Sequence, residues 1–498
     1  MTLGDRAAKA TSITLAVQAM RTVVQFVSTI LLARLLLPDD FGLVAMVTSV
    51  VGIAELIRDF GLSMAAVQAK EVTSEQQDNL FWLNLALGTG CACLAAAATP
   101  LIVAAYGEPR IEPLIPVFAG LFVVSGFNTQ FRAHLVRHMR FKAIGFGDLT
   151  AQILSVVLAL ILALLGAGMW AVAAQQIAFT TVTCAFNVIN SKWWPGRWHR
   201  GVPLREFLRF GASLAGTQII AFLVRNVDNI GIGVVWGATA TGIYNRAYQL
   251  MTMPLAQIQA PMTQVAVPVL SRVQDDKATL LRYAMKAQLV ACYITTTVFA
   301  VAAGLAGPLV LLLLGPNWGA VVPIFLVLAL SGVFRALAQV AYWIYLAVGA
   351  SGALLRQRAV TGSFTVAAIL AGLPWGPIGV ACTGTVANLV VWLVGVWHCG
   401  RATGLRTTPL TTNALRIVAA IGAPCGLLSW AGSLLPVGPL LQIVVGLALV
   451  CVYLFVAYRF IPSVRLDVQQ VTAIVRRSLP DRFQRRGRHS RTKGVASA

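Results

Sequence analysis

Apolar residues in this chain run in long blocks separated by short polar breaks, not at the alternate spacing of a half-buried strand. A helix needs about 20 apolar residues to cross a bilayer. Blocks of that size fall at roughly 11–36, 41–60, 79–105, 113–131, 148–166, 168–190 and 207–236. They continue at roughly 240–269, 284–314, 321–347, 355–375, 377–400, 413–435 and 439–461. The pattern predicts an all-α polytopic membrane protein with about 14 spans. Gly and Pro mark the breaks, as in Leu37-Pro38-Asp39, Gly107-Glu108-Pro109, Gly166-Ala167-Gly168, Gly315-Pro316-Asn317 and Trp375-Gly376-Pro377. No small-residue cleavage site follows the first block, which reads as a retained helix.

Charge sorts the breaks into two kinds. After odd-numbered spans, Asp39, Asp40, Glu108 and Glu112 outweigh Arg34 and Arg110. After even-numbered spans the breaks are basic. One holds Arg132, Arg137, Arg140 and Lys142, and another Lys192, Arg197, Arg200 and Arg205. Later ones hold Arg272, Lys277 and Arg282, then Arg356 and Arg358, then Arg401 and Arg406. Basic loops stay in the cytoplasm, so both termini are expected there. From Pro462 onward Arg465, Arg476, Arg477, Arg482, Arg485, Arg486, Arg488, Arg491 and Lys493 face only Asp467 and Asp481. Val464, Val468, Val471 and Val475 keep helical spacing, which predicts a helix on anionic membrane lipid with a basic end.

Composition narrows the class. The 498 residues are 58% hydrophobic and 11% charged. About 14 spans use nearly the whole apolar supply. That excludes an ordinary soluble enzyme, a nucleic-acid-binding domain and a secreted disulfide scaffold. The net charge of +21 belongs to the cytoplasmic loops and tail and not to a nucleic-acid site. The eight cysteines lie in apolar stretches without a Cys-x-x-Cys, so no metal or other cofactor is expected.

A weak repeat sits at an offset of 200, pairing Gln18 with Gln218, Val24 with Val224, Val27 with Val227, Ile30 with Ile230, Gly42 with Gly242, Ala66 with Ala266 and Val67 with Val267. It predicts two pseudo-symmetric six-span lobes, 1–200 and 201–405, followed by two additional spans over 406–461 and a cytoplasmic tail over 462–498.

Ionisable residues within spans are costly and default to function. Arg21 falls in the middle of span 1 and Arg225 in span 7, with Asp228 one turn on and placed to pair with Arg225. Asn226 and Asn229 flank them. Arg246 lies in span 8 and Arg335 in span 10, with no partner evident in their own spans. Glu55, Arg58 and Asp59 cluster in span 2, and Asp148 opens span 5. Four deep arginines suit a phosphate-bearing substrate. In span 8, Pro254, Pro261 and Pro268 recur every seven residues and form the candidate hinge, with Gln257 and Gln264 beside them.

Several of these segments resemble one known family. The run Ala33-Arg34-Leu35-Leu36-Leu37-Pro38-Asp39-Asp40-Phe41-Gly42-Leu43-Val44, then Asp59-Phe60-Gly61-Leu62 and Leu80-Phe81-Trp82-Leu83-Asn84, is similar to Wzx-type polysaccharide exporters of the colanic-acid-exporter-like branch. So are Phe141-Lys142, Gly166-Ala167-Gly168-Met169-Trp170-Ala171-Val172, Arg225-Asn226-Val227-Asp228-Asn229-Ile230-Gly231-Ile232-Gly233 and Gly242-Ile243-Tyr244-Asn245-Arg246-Ala247-Tyr248-Gln249. Val234 is apolar where relatives often carry a basic residue. The resemblance implies the multidrug/oligosaccharidyl-lipid/polysaccharide (MOP) exporter superfamily, with V-shaped six-helix lobes, alternating access and a bacterial inner-membrane location. It implies a lipid-linked oligosaccharide as substrate, usually on undecaprenyl diphosphate, with a glycan polymerase and glycosyltransferases as partners. In the family, spans 1, 2, 7 and 8 line the cavity. That carries over to Gln18, Arg21, Gln25, Glu55, Gln218, Arg225, Asp228 and Arg246.

The expected chemistry is diphosphate capture by Arg21, Arg225, Arg246 and Arg335, with Gln18, Gln25, Gln218 and Asn229 on sugar hydroxyls. Asp228, with Glu55, is the candidate site for proton or sodium coupling. A peptidoglycan lipid-precursor flippase is the alternative. A multidrug antiporter would want an acidic, aromatic cavity, and a membrane glycosyltransferase a large loop with acidic motifs.

Overall fold

The computed structural model describes residues 3–59 and 72–478, with side chains over 17–52, 72–205, 207–208, 218 and 221–472. Among these residues the secondary structure is helical, without a strand. The long helices are α1 (Leu3–Leu35), α2 (Pro38–Asp59), α3 (Ser74–Ala97), α4 (Leu114–Arg137), α5 (Phe141–Leu164) and α6 (Met169–Ser191). They continue as α7 (Arg205–Ser271), α8 (Lys277–Gly304), α9 (Val321–Ala347), α10 (Ser351–Gly372) and α11 (Gly376–Thr403). Last come α12 (Thr408–Ser433), α13 (Pro439–Phe460) and α14 (Pro462–Ser478). Nine helical stretches among the described residues are long and apolar enough to cross a membrane.

Several helices overrun the apolar blocks, and some of their polar ends are capped locally. Pro38 starts α2, where Asp39 and Asp40 lie against the positive end of the helix dipole. Thr73 and Gln76 form a capping box at α3. The Asp276 carboxylate accepts the Ala278 and Thr279 N–H groups at α8. Arg132 and Arg137 sit on α4 and Lys142 on α5, not in a loop, and Asp148 lies two turns inside α5 instead of opening it. The expected third and ninth spans each divide, leaving short helices Thr99–Tyr106 and Ala306–Leu313. The expected seventh and eighth spans are one helical run, broken at Gly237, whose φ of 80° favours glycine. Pro254, Pro261 and Pro268 all lie inside α7.

The chain groups into two units. One comprises Met1–Arg246 with Leu313–Ala320 and Ile369–Val380, and the other Ala247–Leu312 with Val321–Ala368 and Ala381–Ala498. The first has a core of Met46, Val47, Ile111, Leu114, Ile115 and Phe118. Turns gather on its α1–α2 end. Trp318 is fully buried, donates its indole N–H to the Ala33 carbonyl at 2.7 Å and packs against Phe41 at 5.6 Å. Tyr106 packs on Gly233. Asp39 accepts the Thr239 hydroxyl at 3.0 Å, 200 residues away, and pairs with Arg110. Trp236 donates to the Leu373 carbonyl at 2.8 Å. Asp39 and Thr239 are thus residues at the offset of 200 that meet in space.

In the second unit α8 packs along α9 and α12. The tail helix α14 is docked by its own charges. The Asp467 carboxylate accepts the Tyr293 hydroxyl at 2.8 Å and an Arg416 N–H at 2.6 Å, while Val464 is buried beside it. Arg465 and Leu466 stay exposed, as an interfacial helix requires. The tail from 479 onward, including Arg482, Arg485, Arg486, Arg488, Arg491 and Lys493, lies outside the described residues.

Candidate substrate-binding site

Gln18, Arg21, Gln25 and Ser28 fall at spacings of three and four on α1, so they share one face. That face meets polar groups of α5 and α6. Gln25 accepts from the Gln152 amide at 2.9 Å, and Ser28 accepts from the Gln175 amide at 2.9 Å.

This polar ladder starts at a charged cluster. Arg132 donates Nη1–H to Asp148 Oδ1 at 2.9 Å and Nη2–H to Oδ2 at 3.0 Å, a fork-to-fork pair. Arg21 donates one Nη1–H to the same Oδ2 at 3.0 Å. The Asp148 side chain is 6% exposed, against 29% for Arg21 and 41% for Arg132. The carboxylate is thus satisfied and buried, while both guanidinium groups keep donors open. Gln18, Arg21, Lys142 and Asp148 line a pocket of ≈ 170 Å³ beside Phe141 and Gly145. The pocket lining carries Arg21 and Lys142 against Asp148, which Arg132 also pairs, so the wall is net cationic and suited to a bound anion. A larger cavity of ≈ 560 Å³ lies in the second unit, but Leu326, Leu330, Phe334, Leu427 and Trp430 line it without a charge to hold a headgroup.

A second polar cluster flanks Gly237. Asp228 is buried, accepts the Tyr244 hydroxyl at 2.9 Å and accepts the Asn229 backbone N–H at 2.8 Å. Asn245 donates to Asn229 at 3.5 Å. Arg225 is exposed and, among the described residues, forms no ion pair with Asp228. The expected pairing gives way because Asp228 turns inward to Tyr244. Arg246 is buried with its guanidinium 3.6 Å from the Phe41 ring centre, a cation–π contact. Gln218 is exposed, and the Glu55 side chain lies outside the described residues, as do those of Arg58 and Asp59.

In the second unit Arg335 is half-buried and donates to the Tyr248 hydroxyl at 3.1 Å. Gln259 donates to the Arg335 carbonyl at 3.4 Å. Thr263 accepts from Gln339 at 3.2 Å and from Trp343 at 2.8 Å. Arg335 thus heads a polar row between the proline-bearing part of α7 and α9.

Sequence reading placed Arg21 but missed its partner Asp148, the Arg132 that shares that carboxylate, and the Lys142 pocket wall. A signal was present. Arg132 and Asp148 lie 16 residues apart, equally far from Arg140 in the α4–α5 turn. Asp228 and Tyr244 also lie 16 apart, flanking the Gly237 break. Residues mirrored about a tight turn meet across the antiparallel pair it joins.

A family described as "Polysaccharide biosynthesis protein" matches residues 31–323. The teichuronic acid biosynthesis protein TuaB of Bacillus subtilis is 26% identical over 76% of this chain and 78% of its own length. The lipopolysaccharide biosynthesis protein WzxC of Escherichia coli is 26% identical over 61% of this chain and 62% of its own. The succinoglycan biosynthesis transport protein ExoT of Rhizobium meliloti is 26% identical over 62% of each. This chain thus spans less than two thirds of WzxC and ExoT. Among solved structures, the lipid II flippase MurJ aligns with a TM-score of 0.70 at 13% identity, covering 90% of this chain and 98% of that one. An inward-facing multidrug resistance MATE transporter of the MOP superfamily aligns at 0.62 and 17% identity, covering 80% and 99%. The fold is that of the MATE and MurJ transporters. With the match covering more than half its length, the chain belongs to the polysaccharide biosynthesis protein family.

Proposed function

We propose that this protein is a flippase that moves an undecaprenyl-diphosphate-linked oligosaccharide, the repeat unit of a polysaccharide or lipopolysaccharide, across the bacterial inner membrane by alternating access. The observation that carries the reading is the cationic pocket at Arg21 and Lys142, on the same face of α1 that bears the amide and hydroxyl ladder of Gln25 and Ser28 with Gln152 and Gln175. Guanidinium and ammonium groups suit phosphate oxygens. Amides and hydroxyls suit sugar hydroxyls, donating and accepting alike. The lipid tail stays in the bilayer, so only the headgroup needs this polar path. The names of ExoT and WzxC, a transport protein and a lipopolysaccharide biosynthesis protein, support transport and the class of cargo.

In this reading the basic loops and both termini face the cytoplasm. An inside-negative potential then acts on each substrate charge with about 2.3 kcal/mol per 100 mV, in the export direction. Asp228 is the candidate proton or sodium site, where protonation would change its bond to Tyr244. Pro254, Pro261 and Pro268 are the candidate hinge. The two six-helix lobes, 1–200 and 201–405, are the moving parts. Transport agrees with the name of ExoT, and the proposed step needs no catalysis. Glycosyltransferases and a polymerase are the proposed partners on either side of the step, and anionic lipid meets the basic tail.

The MurJ-like fold favours a second cargo with the same diphosphate, a peptidoglycan lipid precursor. The experiment is flipping in vesicles containing the purified protein, measured as access of an impermeant glycan-oxidising reagent. Polysaccharide repeat units on polyprenyl diphosphate should be flipped and the peptidoglycan precursor should not. The reverse preference would establish the second reading.

A further inference from the structure

Among the described residues Asp148 is the buried carboxylate that lines the proposed headgroup pocket, and flippase chemistry gives an acid no obvious place beside a phosphate. Its two arginine contacts differ. Arg132 holds it by two parallel N–H bonds at 2.9 and 3.0 Å, whereas Arg21 adds a single bond at 3.0 Å to an oxygen that Arg132 already occupies. Arg132 alone neutralises the carboxylate. Arg21 is the contact that can be given up without leaving Asp148 bare.

An arginine within a span is expensive when unpaired. A carrier that binds an anion must leave the same arginine unpaired each time the anion departs. We infer that Asp148 is an internal counter-ion that competes with the substrate diphosphate for Arg21, holding the guanidinium while the pocket is empty and receiving it back as the diphosphate leaves. This rests on the reading of the pocket as a diphosphate site. The exchange moves no proton and breaks no covalent bond. A carboxylate and a phosphate oxygen trade places on one guanidinium, which presents N–H donors to either. Lys142, on the same pocket wall, supplies a second charge to the incoming headgroup.

The inference carries an unusual signature. A residue that only positions Arg21 would, when lost, weaken binding. A competitor, when lost, strengthens binding and slows release. The test uses the purified full chain in detergent, with farnesyl diphosphate as probe and farnesol as the chain-matched neutral control. Asp148→Asn, which keeps shape and removes charge, should bind farnesyl diphosphate roughly fivefold tighter, through slower dissociation in stopped flow. Asp148→Glu should keep the wild-type affinity, and it shows whether the acid can be altered without unfolding the chain. Arg21→Gln should weaken diphosphate binding and leave farnesol unaffected. Unchanged or weaker binding by a folded Asp148→Asn would overturn the counter-ion role alone. Equal binding of diphosphate and farnesol by the wild type, or no effect of Arg21→Gln, would overturn the diphosphate site itself.

Discussion

Gly42 and Gly242 stand 200 residues apart and each lies against the backbone of the other's turn. A methyl on Gly42 would run into the Ala238 carbonyl, and one on Gly242 into the Pro38 carbonyl. Ala238 is itself 200 residues beyond Pro38, so the contact is reciprocal. Only glycine lets two backbones approach this closely.

Overpacking follows from adding a methyl there. Gly42→Ala and Gly242→Ala should each destabilise the protein by about 1–3 kcal/mol. Thermal unfolding in detergent checks this, with Gly120→Ala as control, where a methyl meets open space. Equal melting temperatures for all three variants would contradict the seam.

Beside that seam, Glu108 accepts two Arg110 N–H bonds at 2.8 Å. The hydrogen bond from Arg110 is the main reason its carboxyl is held below the ordinary 4.5. A carboxyl depressed in the folded state stabilises it above its unfolded pKa, and that contribution is lost as pH falls through the folded value. Melting temperature should therefore drop on acidification below about pH 4.5. Glu108→Gln should lower the melting temperature at neutral pH and flatten this acid limb, measured by a pH series of melts.

Asp467 holds the tail helix through Tyr293 and Arg416. Asp467→Ala should raise hydrogen exchange across Pro462–Ser478 and leave the α8 core unchanged. Exchange at the wild-type rate would mean that the apolar face alone, led by Val464, docks the helix.

At Asp228 the expected consequence is functional. Asp228→Asn keeps a group able to bond Tyr244 but cannot take up a proton or bind sodium as a carboxylate does. Flipping by this variant in vesicles should no longer respond to an imposed proton or sodium gradient. A response equal to wild type would remove Asp228 from coupling.

Much of the architecture was legible because a bilayer allows few ways to satisfy a backbone. The tenth block, roughly 321–347, and α9 have the same limits. What the blocks could not give was where polar ends continue the helix. Arg132 and Lys142 read as loop charges because hydropathy falls there, yet both are helical, and only Arg140 with its neighbours makes the turn. Partner choice was the larger gap. Asp228 looked paired with Arg225 by helical spacing, but the Tyr244 hydroxyl, brought close by the Gly237 break, offers a buried carboxylate a drier partner. Arg21 looked solitary because its partner lies 127 residues away. Spacing within one helix finds local pairs. Pairs between helices need the turn that folds one onto another.

The central claim is that Arg21 receives the diphosphate of a lipid-linked glycan. The most direct measurement is flipping of a polyprenyl-diphosphate oligosaccharide in vesicles by wild type and by Arg21→Ala, with equal amounts of inserted, folded protein. The expected result is flipping by wild type and its loss in the variant. Full flipping by Arg21→Ala would contradict the assignment.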